Sequence, residues 1–194
     1  MHVVTHLLAG WALAEGFSLT PRDRAWVTWA SVAPDLDGAG LLIDWGGKLL
    51  GRPETAYYET WHHALGHSGA AALLFAALAC ALARERVKTA ALVLLSYHLH
   101  LLGDILGSRG SSPIDIWTVP YFSPFAGLPV LSWSGQWPLT SWQNTGITVL
   151  LMGWACVLAV QRGYSPLGLF SARADAAFVG ALRKRFAPSR QPEY

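Results

Sequence analysis

The sequence predicts an all-α protein: a helical bundle with a long ordered Gly/Pro/Trp-rich loop, whose apolar helices either insert into a membrane or form a buried hairpin. Three observations predict this. Apolar residues recur at helical spacing in several segments, and no stretch alternates as a sheet strand would. Hydrophobic residues make up 53% of the 194, with a mean hydropathy of +0.32. This length fits most simply a single domain, 1–194, large enough to bury a core. A net charge of +2 argues against bulk nucleic-acid binding. The basic excess gathers late, at Arg183, Lys184, Arg185 and Arg190. Cys80 and Cys156 lack a CxxC partner and read as core filler.

Residues 3–17 place Leu7, Leu8, Trp11, Leu13 and Ala14 at helical spacing, with no basic n-region of a secretory signal before them. Thr20 and Pro21 predict an N-cap and a first-turn proline, opening a second helix that carries Trp26, Val27 and Ala30. Pro34 ends it, because proline disfavours helical geometry at the residue before it. Asp35 and Asp37 are therefore expected on an extended loop. Residues 38–55 predict irregular or partly helical structure. Residues 68–83 and 88–106 predict two apolar helices joined by the charged turn Arg84 to Lys88. The stretch 107–144 is rich in Gly, Pro, Ser and Trp and predicts a long ordered loop, with 117–121 its best short strand candidate. An apolar helix follows over 145–160, closed by Gly163. The last segment, 172–186, alternates Phe178, Val179, Leu182 and Phe186 with Arg and Lys, as a basic amphipathic helix on a membrane surface or in solvent would. The apolar helices run at or below the roughly 20 residues needed to cross a bilayer. One of them carries His98, His100 and Asp104, which are costly in lipid unless they face a cavity or a metal.

The seven histidines fall into three groups: His2 with His6, His62 with His63 and His67, and His98 with His100. Imidazole and carboxylate together form the ligand set of a hydrolytic Zn, Mn or Fe site. His100 and Asp104, four apart, share a helix face and can clamp one ion, or the aspartate can bridge two. His98 points elsewhere, as a core residue or a support to the ligands. His63 and His67 share a face if their segment is helical, whereas His62 and His67 converge if a helix starts between them. Ser68 then supports a ligand or caps the helix. Asp35 and Asp37, two apart on an extended loop, would turn both carboxylates toward one cluster; the alternative is a cap or turn. His6 would reach the same cluster from the first helix. Arg109, in the loop after Asp104, is placed to grip a phosphate. Trp117, Tyr121, Phe122, Phe125, Trp133, Trp137 and Trp142 form an apolar wall for a lipid-like substrate, an interfacial anchor, or simply core.

Four short motifs stand in order: Thr5-His6, Pro34-Asp35-Leu36-Asp37, His62 to Ser68, and His100 to Asp104. Over residues 1 to about 125 this pattern resembles the family of membrane-associated metal-dependent hydrolases of the LexA-binding, inner-membrane-associated type. That family is itself similar to the zinc-dependent phospholipase C and P1 nuclease group. The resemblance implies a bacterial inner-membrane location and two or three divalent ions, zinc foremost. It also implies hydrolysis of a phosphoester, either a membrane lipid or a small molecule. It implies His6, Asp35, Asp37, His62, His67, His100 and Asp104 as ligands, with His63, Ser68 and His98 around them. Whichever of Asp35 and Asp37 is not committed to metal would act as general base, with Arg109 on the substrate. Two positions depart from the family pattern: His63 stands for its usual Arg and Gly66 for its Thr. A competing expectation is a membrane-associated binding or regulatory protein with a structural metal site. Membrane phosphatidate phosphatases also carry Gly-His and His-x-x-x-Asp elements, but they need an Arg where Leu94 stands.

Overall fold

The computed structural model describes residues 1–53, 55–58, 66–125 and 127–186. Among them run seven α-helices: α1 Val3–Glu15, α2 Pro21–Ala30, α3 Gly40–Leu49, α4 Gly69–Leu82, α5 Arg86–Gly107, α6 Trp142–Arg162 and α7 Ala172–Phe186. Tighter 3-10 helices occupy Ala33–Ala39 and Pro166–Leu169. The described residues contain no sheet, so the chain is all-α. The expected strand at 117–121 shrinks to one bridge between Val119 and Leu131, which with a bridge from Arg109 to Pro138 tacks the long loop together.

Local chemistry sets the boundaries. The Thr20 hydroxyl accepts from the Asp23 N–H and caps α2, and Ser68 does the same for α4 through Ala71. Ser68 thus fills one of its two expected roles, the helix cap. The Asp23 carboxylate accepts from the N–H groups of Arg84 and Glu85, which fixes the tight turn and lets α5 start at Arg86 rather than Lys88. Gly163, at φ 84, takes the left-handed position that ends α6.

One expectation fails here. Residues 33–39 do not extend after Pro34 but wind into a 3-10 helix. Proline at the second position of a tight helix is tolerated, because its missing N–H has no partner to lose there. In a three-residue turn, residues two apart diverge, so Asp35 and Asp37 point to different places.

Helix α5 lies at the centre, packed on α1, α2 and α4, while α6 packs along α1. Small residues let the backbones close up: Ala14, Ala30, Ala72, Ala76 and Ala79 are buried at these contacts. A Cβ at Gly10 would come within 2.2 Å of Ser31 Oγ, so only glycine lets α1 approach α2 and α5 this closely. Around its apolar core the bundle also buries polar groups, and it exposes large apolar ones. Thr5, His6, Ser31, Ser96, His100, Asp104 and Asn144 are buried, whereas Leu73, Leu74 and Leu78 of α4, Leu95, Leu99 and Leu102 of α5, and Val149, Leu150 and Trp154 of α6 are exposed, Leu150 by 74%. Helices α5 and α6 are long and apolar enough to cross a bilayer. Such an outer surface suits lipid rather than water.

Candidate metal centre

Three parts of the chain bring four ligand-type side chains together. The 3-10 helix supplies Asp35, the residue pair before α4 supplies His67, and one face of α5 supplies His100 and Asp104. One ligand atom from each lies within 4.8 Å of the others. His100 Nε2 stands 3.0 Å from Asp104 Oδ2, 3.3 Å from His67 Nε2 and 3.7 Å from Asp35 Oδ1. His67 Nε2 stands 3.4 Å from Asp104 Oδ2 and 3.9 Å from Asp35 Oδ1. Ligands about 2.0–2.1 Å from a tetrahedral zinc ion stand about 3.3–3.4 Å from one another. His67, His100 and Asp104, 3.0–3.4 Å apart, match this spacing, and Asp35 Oδ1, at 3.7 and 3.9 Å from the two histidines, stands slightly wide of it. Asp35 Oδ2 is buried without a hydrogen-bond partner, an orphan that a divalent cation would satisfy.

The surrounding groups hold the rings in place. His100 Nδ1 donates to the Ser31 carbonyl at 2.8 Å, which leaves the Nε2 lone pair facing the cluster. His67 Nδ1 lies 3.3 Å from Asp37 Oδ2, which also accepts from the Gly66 N–H. Tyr97 donates to the Gly66 carbonyl, so α5 steadies the His67 backbone as well. Burial alone would lower the His67 pKa. Its contacts with Asp104 and Asp37 outweigh that and push it up to about 9, while burial pushes the Asp35 carboxyl up. His67 and His100 are fully buried, and Asp35, with a side chain 21% exposed, is the open member of the four.

The other expected residues divide. His6 lies against the cluster: its ring stacks on His100 at 3.8 Å and its Nε2 is 3.1 Å from Asp104 Oδ1, the oxygen not facing His67 and His100. Asp104 Oδ1 also meets the Met1 amino group and the Ser108 hydroxyl. Asp37, expected among the ligands, stands outside the four and backs His67 instead, as the 3-10 winding requires. His98, expected as a support to the ligands, turns away to the Leu94 carbonyl and the Tyr121 hydroxyl, where it anchors the long loop. Its position two residues from His100 on a helix dictates that divergence. Arg109 pairs through its backbone with Trp137 and Leu139, and its Nε is buried without a hydrogen-bond partner. His62 and His63 lie outside the described residues. Of the aromatic run, Trp117 and Tyr121 pack beside the site and Trp137 bonds Asn144, while Phe122, Phe125, Trp133 and Trp142 are exposed.

Sequence reasoning missed Ser31 and Tyr97, which act through contacts between helices and leave no local pattern. Ser108 could have been found, since it sits four residues after Asp104 on the same helix face. Gly66 has a steric reason: a Cβ there would meet the Pro34 carbonyl at 2.2 Å, so a threonine could not stand in this backbone.

Residues 1–181 match the family described as YdjM inner membrane protein. No curated protein and no solved structure is significantly similar to the chain.

Proposed function

The chain belongs to the YdjM inner membrane protein family, and from that premise we propose that it is a membrane-embedded metal-dependent hydrolase. Its reaction is the cleavage of a phosphoester, on a lipid-like or other substrate. The observation that carries this reading is the four-atom cluster of Asp35, His67, His100 and Asp104 with its orphaned Asp35 oxygen. A set of two imidazoles and two carboxylates matches hydrolytic centres better than the cysteine-rich sets of structural zinc.

Asp35, His67, His100 and Asp104 would hold the first ion; a second, offered His6 and Asp104 Oδ1, would have to displace the Met1 amino group that now meets that oxygen. Bound there, zinc supplies Lewis acidity and lowers the pKa of water. The residues divide the remaining work. Asp37 and Ser31 fix the tautomers of His67 and His100. Asp35, the partly exposed member of the four, is the ligand nearest to where a water would enter. Asp37, committed to Gly66 and His67, is a positioning residue. Arg109 brings an unpaired cationic Nε beside the end of α5 and is the proposed phosphate grip.

The near-complete burial of His67, His100 and Asp104 favours a second reading, a structural ion that staples α5 to its neighbours in a binding or regulatory membrane protein. Metal analysis of detergent-purified protein beside Asp104→Ala, followed by phosphoester hydrolysis with and without added zinc, separates the two. Two or more equivalents, lost in the variant, with zinc-dependent turnover support the hydrolase. One tightly held equivalent without turnover supports the staple, and a metal-free protein overturns both.

A further inference from the structure

The charged residues of the bundle are sorted by end. At one end, Arg24 and Arg162 pair with Glu15, Asp23 holds the Arg84–Glu85 turn, Lys88 reaches the Ser18 carbonyl, and Arg183 reaches the Val160 carbonyl. With Arg22, Arg86, Lys184 and Arg185 beside them, nine basic side chains gather there. At the other end lie the starts of α1, α4 and α6, joined by contacts from His6 to Asp104 and from Asn144 to the Gly107 carbonyl. The two segments that connect helices at that end, 31–68 and 108–141, contain three Lys or Arg residues, Lys48, Arg52 and Arg109.

The same end carries aromatic and apolar side chains suited to a membrane–water boundary, including Trp142, 79% exposed, Trp133 and Phe125, with Trp45 on α3. The metal cluster belongs to this half. His100 is fourteen residues beyond Arg86 on α5 and Asp104 eighteen, which at 1.5 Å per residue is roughly 21 and 27 Å from the basic end. The apolar interior of a bilayer is about 30 Å thick. Asp35, the open member of the cluster, lies in the segment that connects helices at this far end.

Basic residues beside membrane-crossing helices stay on the cytoplasmic side, where they also meet anionic headgroups. We infer that the bundle crosses the inner membrane with its basic end in the cytoplasm and its Asp/His cluster in the opposite half, open to the periplasm. An ion or a phosphate-bearing ligand then reaches Asp35 from the periplasmic side. This orientation rests on charge placement and stands whether the cluster is catalytic or structural.

The test places single cysteines at the two ends, in a background with Cys80 and Cys156, both half-buried, changed to alanine. Val87→Cys sits at the basic end and Ile114→Cys in the long loop, both at strongly exposed positions where substitution is tolerated. Spheroplasts are treated with a membrane-impermeant maleimide before and after lysis. Ile114→Cys should label before lysis and Val87→Cys only after it. The reverse pattern, or protection of both until lysis, overturns the inference. A second measurement needs no substitution: trypsin should trim the Arg183–Arg185 segment of the unaltered chain in inverted vesicles and leave it intact in spheroplasts. Trimming in spheroplasts would equally overturn it.

Discussion

Zinc affinity of the cluster should rise steeply with pH, because His67 must lose a proton before its Nε2 can bind an ion. His67 is fully buried, 3.3 Å from Asp37 and 3.4 Å from Asp104, and these contacts outweigh burial to hold its pKa at about 9. At pH 7, two units below that value, its deprotonation therefore costs about 3 kcal/mol. That corresponds to roughly 100-fold in apparent affinity, and it disappears above about pH 9. The assay is competition with a chromophoric chelator from pH 6.5 to 9.5, corrected for the chelator's own protonation. Apparent affinity should climb about tenfold per pH unit and level off near pH 9. Calorimetry at pH 7.5 in two buffers of different ionisation enthalpy should register about one proton released by His67 for each ion bound. Affinity that is flat between pH 7 and 9, or no proton release at pH 7.5, would refute the assignment of His67 as a protonated ligand. Folding of the ion-free protein has the opposite sign. A raised histidine pKa stabilises the fold fully below about pH 6.5, and that contribution is lost as pH rises through about 9.

Three further outcomes follow from the packing. Burial alone would raise the Asp23 pKa, but the N–H groups of Arg84 and Glu85 and the Thr20 hydroxyl hold it below its ordinary value. Stability should therefore be steady above about pH 4 and fall as pH drops through the depressed value, and Asp23→Asn should cost about 2–3 kcal/mol by chemical denaturation. Gly10→Ala should lower stability by about 1–3 kcal/mol, because the new Cβ meets Ser31 Oγ. Since the Ser31 carbonyl orients His100, bound zinc should fall with it on elemental analysis. Asn144→Ala should cost about 2–4 kcal/mol in a thermal melt while leaving zinc content unchanged. It unpairs Trp137 Nε1 and the carbonyls of Gly107 and Leu139, none of which touches the cluster.

Most helices were legible because capping and periodicity are local. Thr20-Pro21, Ser68 and Gly163 mark ends that the backbone observes within one or two residues, and α7 spans the predicted 172–186. The pair His100 and Asp104 was legible for the same reason, as a fixed four-residue offset. What failed was backbone conformation after Pro34. Extended and 3-10 geometry both follow a proline readily, and the choice between them decides whether Asp37 is a ligand or the partner of one. The partners of the rings were also hidden: Ser31 acts through its carbonyl and Tyr97 through a contact 31 residues away in sequence. Orientation in the membrane was hidden too, since Arg24, Arg84, Arg162 and Arg183 read as scattered charges until the helices are laid side by side.

The donor set and its burial pull toward different readings, and the cost of building the cluster bears on the choice. Two imidazoles and two carboxylates taken out of water lose several kcal/mol each unless matched, and hydrogen bonds within the protein leave Asp35 Oδ2 without a partner. A bundle that needs only cohesion has a less expensive device, close packing of small residues, and this chain already uses it at Gly10, Ala14, Ala30, Ala72, Ala76 and Ala79. Holding α5 in place therefore does not require an ion. The second oxygen of Asp104 is matched by His6, the Met1 amino group and Ser108 and ties α1 to α5, whereas one carboxylate left partly open on a 3-10 turn adds desolvation without adding cohesion. Both would be useful to a centre that must admit a water and a substrate oxygen, and on that ground the proposed hydrolase is the reading to test first.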